Sequence, residues 1–142
     1  MKCTVFSLLV ASAAAFASPA FVVNRGGAMN MVTIAKGVEF DTVAREWRCK
    51  WDDENDKASL VAAQEALDEV LPTLKGLDGV KNVERVVCGG CLDFKVITSL
   101  EGDKYGAWEE NGFAPESDFI EKLKGIEGLS MVETQTYTKM PM

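Results

Sequence analysis

Val80-Lys-Asn-Val-Glu-Arg-Val-Val-Cys88-Gly-Gly-Cys91-Leu-Asp-Phe-Lys-Val-Ile-Thr-Ser99 is the stretch whose reading decides the fold. Two runs rich in β-branched residues flank a Gly-Gly pair, and such a pair between alternating runs is a two-residue hairpin signal. The reading places one strand over Val80 to Cys88 and the next over Cys91 to Ser99. Side chains alternate along a strand. Leu92, Phe94, Val96 and Thr98 therefore share one face, while Cys91, Asp93, Lys95 and Ile97 share the other. An apolar face backed by a mixed one describes an antiparallel sheet covered on one side.

Working outward, Thr42 to Trp51 alternates in the same way. Val43, Arg45, Trp47, Cys49 and Trp51 oppose Ala44, Glu46, Arg48 and Lys50, which predicts a further strand. Asp52-Asp-Glu-Asn-Asp56 is a polar break rich in helix-capping residues. From Lys57 to Lys75, Leu60, Ala63, Leu67, Val70, Leu71 and Leu74 recur at three and four, the stripe of an amphipathic helix. Pro72 predicts that its last turn kinks or ends there. Beyond the hairpin, Asp103 to Glu110 reads as a short helix and Glu116 to Lys124 as a second, with Phe119, Ile120 and Leu123 inward. A last strand, Met131 to Thr138, sets Val132, Thr134, Thr136 and Thr138 against Met131, Glu133, Gln135 and Tyr137. The order βαββ(α)αβ is the split βαβ pattern of the α+β class. Handedness then favours a ferredoxin-like antiparallel sheet of strand order 4-1-3-2, with the helices on one face.

Cys88-Gly-Gly-Cys91 is the one short motif with chemistry in it. A structural zinc needs four ligands, yet the sequence has no histidine and four cysteines, one of them at position 3. A dithiol redox pair is the sharper reading, and two small buried thiols the plainer one. Across a two-residue turn the pair would be directly opposed, with Cα atoms ~5.5 Å apart. That is within bridging distance. A bridge enclosing so little chain removes little unfolded-state entropy, which suits a reversible switch better than a staple.

The 142 residues suffice for one domain, placed at 40–142. The absence of histidine excludes Ser-His-Asp and Cys-His catalysis and imidazole metal ligation. A net charge of −7 argues against a nucleic-acid partner. The charge is unevenly spread. Residues 1–38 hold Lys2, Arg25 and Lys36 and no acid, so all 22 acids fall after them. The apolar run Val5 to Ala17 is too short to span a bilayer and ends in alternating alanines, as a signal peptide does. No transmembrane segment is expected in the mature chain.

Ala14-Ala-Phe-Ala-Ser-Pro19 resembles the ASAFAP-type motif of the bipartite plastid presequences of algae with red-lineage secondary plastids, with Ser18 inserted before the proline. The resemblance implies a signal peptide over 1–15, a transit peptide over 16–35, a mature start between about Met29 and Gly37, and delivery to the chloroplast stroma. Plain secretion is the alternative.

The domain itself, with an aromatic short helix (Tyr105, Trp108) before the second helix, resembles the dimeric α+β barrel superfamily of stress-responsive A/B barrel and antibiotic-biosynthesis monooxygenase (ABM)-like domains. This implies a homodimer with facing sheets. Cofactor-free oxygenases of that group use His, Asn, Trp or Tyr around an apolar pocket, which implies a ligand pocket with Tyr105, Trp108, Asn111 and Tyr137. No catalytic residue, metal or cofactor is assigned. With no nucleophile–base pair or phosphate loop in the sequence, the first expectation is a non-enzymatic plastid binding or assembly domain with a protein partner there. The alternative is a small cofactor-independent monooxygenase- or isomerase-like enzyme, or a protein regulated through Cys88 and Cys91.

Overall fold

The computed structural model describes residues 31–142. The expected signal peptide, and the transit segment up to residue 30, lie outside the described residues. Nine elements follow in chain order: β1 (Val32–Ala35), β2 (Val38–Phe40), β3 (Thr42–Lys50), α1 (Ala58–Lys75), β4 (Val80–Val87), β5 (Asp93–Glu101), α2 (Tyr105–Glu110), α3 (Glu116–Lys124) and β6 (Ser130–Lys139). The last seven form the ferredoxin-like unit. Its four strands pair antiparallel in the order β4-β5-β3-β6, which is the expected 4-1-3-2 read from the other edge.

The alternation in the sequence sets what each face does. Val43, Trp47, Cys49, Phe94, Val96 and Leu100 are buried under the helices with Ala63, Ala66, Leu67 and Leu74 of α1 and Phe119 and Leu123 of α3. Trp47 is the centre of this core, its ring 4.9 Å from that of Phe119. A buried tryptophan of this kind is worth about 3–5 kcal/mol against alanine. Ser59 locks the start of α1 to the end of β3: its Oγ accepts from the Asp52 N–H at 3.1 Å and donates to Asp52 Oδ1 at 2.9 Å. Among the described residues no helix is long and apolar enough to cross a membrane.

Two expectations need correction. The Gly-Gly hairpin is not two residues long. Cys88 N–H bonds to Asp93 O, so the loop runs from Gly89 to Leu92, and Leu92 sits in the left-handed region (φ +57°). The strands accordingly end at Val87 and begin at Asp93. The long helix does run to Lys75, as its apolar stripe predicts, with Pro72 inside it. The proline lies within the last turn, and its own carbonyl accepts from the Gly76 N–H. Finally, β1 and β2 form a small hairpin of their own, Val32 opposite Phe40, with both residues buried against the core. This lies ahead of residue 40 and overlaps the end of the transit segment read from the sequence.

Candidate functional site

Helix α2 is only six residues long, but it sets the site. Tyr105 and Glu109 are four apart and so share one face, with Gly106 beside them. That face looks toward Thr136, Tyr137 and Thr138 on edge strand β6. Val32 and Phe40 of the N-terminal hairpin, Val43 of β3, and Gly102 and Asp103 close the remaining walls. The result is a largely apolar pocket of about 400 Å3, within the range of small-molecule sites. A side chain built at Gly106 would meet nothing within 4 Å.

A polar track runs through the wall. Tyr105 Oη lies 2.8 Å from Thr136 Oγ1, and the same Thr136 oxygen accepts from Arg45 Nη1 at 2.9 Å. Arg45 Nη2 also donates to Thr134 Oγ1. The guanidinium is half-buried, 4.1 Å above the Phe113 ring, and held by Glu116 through two bonds. Glu116 keeps the Arg45 pKa above its ordinary value, against the opposing effect of burial. Burial pushes the Tyr105 hydroxyl up as well, with the Thr136 bond pulling the other way, so the phenol is protonated at neutral pH. A charge-assisted network of this kind fixes its members in place.

Of the four expected pocket residues, Tyr105 presents its side chain to the pocket, while Tyr137 reaches the lining from β6 but turns its hydroxyl to Glu46 on the opposite face of the sheet. Trp108 is instead core: its Nε1 donates to Ala114 O at 2.9 Å, and its ring packs edge-on to Phe113 at 5.2 Å. Asn111 is exposed and lies with Leu77, Asp78 and Lys104 at a separate depression. Sequence reasoning missed Arg45, Glu116, Thr136 and Glu109. A charged Arg45 in an otherwise apolar alternation was the available signal.

The sheet face away from the helices is not simply solvated. Glu46 is 4% exposed, accepting from Gln135 Nε2 at 3.0 Å and from the Tyr137 hydroxyl at 3.1 Å. Burial, and the Glu46 carboxylate it faces, push the Tyr137 pKa up to about 12. Ile97, half-buried, and Val86, exposed, share this face.

At the far end of the sheet, Cys88 and Cys91 are joined by a disulfide with Cα atoms 5.5 Å apart. They are not opposed across strands; they are the first and last residues of one turn. Cys49 is a free, buried thiol, pushed up to about 11 by burial.

No family model matches the chain, and no curated protein matches its sequence. Solved structures do match in shape. Rv0793 from Mycobacterium tuberculosis aligns with TM-score 0.50 at 13% identity, covering 71% of this chain and 97% of that one. A Deinococcus radiodurans protein provisionally described as an antibiotic biosynthesis monooxygenase gives 0.54 at 14%, covering 70% and 94%. SnoaB, a cofactor-independent oxygenase from Streptomyces nogalater, gives 0.50 at 13%, covering 72% and 96%. Two of these three neighbours are described as oxygenases. At such identities the likeness establishes the fold alone.

Proposed function

We propose that this chain is a small cofactor-independent oxygenase acting on an aromatic, hydroxyl-bearing molecule held in the pocket between α2, β6 and the β1–β2 hairpin. The observation that carries the reading is the Tyr105–Thr136 hydroxyl pair set in an apolar wall, with the Glu109 carboxylate one helical turn away. Apolar walls suit a flat ring. The protonated Tyr105 donates to a substrate oxygen and stabilises negative charge developing on it. Glu109 is the group placed to accept a proton. An electron-rich substrate anion can then reduce O2 itself: a CH2 group becomes C=O, O2 supplies that oxygen, and the other leaves as water. The description of SnoaB as a cofactor-independent oxygenase supports this reading over the non-enzymatic binding domain that the sequence first suggested. Oxygen uptake with hydroxyaromatic compounds whose ring system carries an activated CH2 group, in native protein and Tyr105→Phe, tests it.

We further infer that two copies associate through the sheet face bearing Ile97, Val86 and the Glu46–Tyr137 pair. One face of a four-stranded sheet is of the size a stable interface needs, about 800 Å² per partner. The plastid address rests on the acid-free leader and Ala14–Pro19. A fluorescent protein fused behind residues 1–40 is expected to light plastids, and label in the medium would favour secretion.

A further inference from the structure

We propose that the 88–91 turn is a thiol–disulfide exchange site with a fixed direction: an incoming thiolate attacks Cys91 Sγ, and Cys88 departs as the thiolate. Three observations set that direction. Cys91 is exposed whereas Cys88 is half-buried, so the outer sulfur is the one within reach. The Cys91 N–H donates to Cys88 Sγ at 3.0 Å, so a charge arriving on Cys88 finds a donor already aimed at it. Hydrogen bonding to the charged form favours that form, and the more stable thiolate is the better leaving group. Cys91 Sγ, by contrast, lies 3.4 Å from Asp93 Oδ2, and a facing carboxylate disfavours charge there. Lys50 holds the other oxygen, Oδ1, at 2.6 Å. Lys50, Arg48 and Lys95 together keep Asp93 ionised, its pKa lowered chiefly by the Lys50 bond.

The loop does not depend on the bridge. Cys88 N–H to Asp93 O, Trp51 N–H to Leu92 O and Lys50 Nζ to Cys91 O hold it at 2.9, 2.9 and 2.7 Å without any sulfur. The bridge links residues only three apart in sequence, so opening it releases little chain entropy. It can therefore open and close while the domain stays folded.

The step balances with a dithiol reductant of the thioredoxin class. Its thiolate forms a bond to Cys91 Sγ, the Cys88–Cys91 bond breaks, and the electron pair goes to Cys88. The reductant's second thiolate then attacks its own mixed-disulfide sulfur and expels Cys91, and two protons from solvent complete two thiols here and one disulfide there. A disulfide oxidant such as oxidised glutathione runs the sequence backward. The site lies at the Lys50 end of β3 and the pocket at its Val43 end, roughly 20 Å apart along the strand, so it stands or falls independently of the proposed oxygenase.

The test uses the oxidised full chain and a thioredoxin-class protein whose resolving cysteine is replaced by serine, so that the mixed disulfide is trapped. After acid quench and alkylation, peptide mass mapping locates the link. At least about ten linked Cys91 to one Cys88 is expected from the difference in leaving group and access. Linkage mainly at Cys88, equal linkage, or no linkage to folded protein overturns the proposal. A second measurement needs no partner. Iodoacetamide at neutral pH is expected to alkylate Cys88 in Cys91→Ser several-fold faster than Cys91 in Cys88→Ser, with buried Cys49 as the unreactive internal control. Equal or reversed rates contradict the assigned direction.

Discussion

Arg45 and Glu116 meet as a two-point ion pair, Nε to Oε2 at 2.7 Å and Nη2 to Oε1 at 2.8 Å, under the aromatic corner of the fold. The same Oε2 accepts from the Trp47 indole at 2.7 Å. One carboxylate thus ties α3 to the centre of β3. Glu116→Ala leaves the half-buried guanidinium without its counter-charge, held only by Thr134 and Thr136, and the Trp47 indole N–H unpartnered, and is expected to cost about 3 kcal/mol. Glu116→Gln retains an acceptor and should cost less than half of that. Urea unfolding midpoints at matched slope decide between this and a pair that carries no stability, for which both variants would match the parent.

Tyr137 and Glu46 give the sheet a signature at high pH. Burial and the facing carboxylate raise the folded-state pKa of Tyr137 to about 12 from the ordinary 10.0. The folded state then holds its proton more tightly than the unfolded chain. Its contribution to stability is complete below pH about 10 and is lost as pH rises from about 10 to 12. Tyrosinate absorbance of the native protein is expected to rise late, and urea-unfolded chain to titrate near 10. Glu46→Gln removes the facing charge and should bring the late phase earlier. If its titration matches the parent's, the carboxylate is not a cause of the shift.

Ile97 tests association. It sits on central strand β5 opposite Glu46 of β3 and Glu84 of β4, so a lysine there finds acidic neighbours and leaves the single chain folded. Sedimentation at micromolar concentration is expected to find a dimer for the parent and a monomer for Ile97→Lys. A monomeric parent removes the dimer.

The four-stranded sheet was legible because three of its strands carry a period-two pattern, the fourth is joined to one of them through the Gly-Gly pair, and one face must meet the helices. Trp47, Phe94 and Val96 stand where alternation puts them. What was not legible depends on contacts distant in sequence. Glu116 reads as a helix-start carboxylate until folding sets it against Arg45, 71 positions away. Thr136 reads as an exposed strand residue until Tyr105 reaches it. The hairpin of β1 and β2 is short, and its first strand lies inside the acid-free leader, so composition masked it. The cysteine turn was misread in length because Leu92 takes a left-handed conformation that an L-residue rarely adopts. Trp108 and Asn111 were grouped with Tyr105 by residue type, as the resemblance implied, but a helix turns neighbouring positions to different sides.

Gly106 is the lever on the pocket. A side chain there meets nothing within 4 Å of its Cβ, and the residue lines the cavity. Gly106→Leu is expected to crowd the pocket while leaving the fold intact, with a melting temperature equal to the parent's or higher, since alanine-like residues improve helix propensity over glycine by about 1 kcal/mol. Circular dichroism checks the fold. Binding of a hydroxyaromatic ligand, followed by tryptophan fluorescence, is expected to weaken at least about tenfold, the equivalent of 1.4 kcal/mol. Unchanged affinity would place the ligand elsewhere.

Oxygen uptake by chelator-treated protein, measured against a panel of hydroxyaromatic compounds whose ring system carries an activated CH2 group, tests the central claim most directly. Uptake with at least one compound, reduced at least about tenfold by Tyr105→Phe as expected for removing one hydrogen-bond donor to developing charge and abolished by Gly106→Leu, is the expected result. No uptake with any compound in the panel, or uptake that survives unchanged in both variants, contradicts an oxygenase site in this pocket.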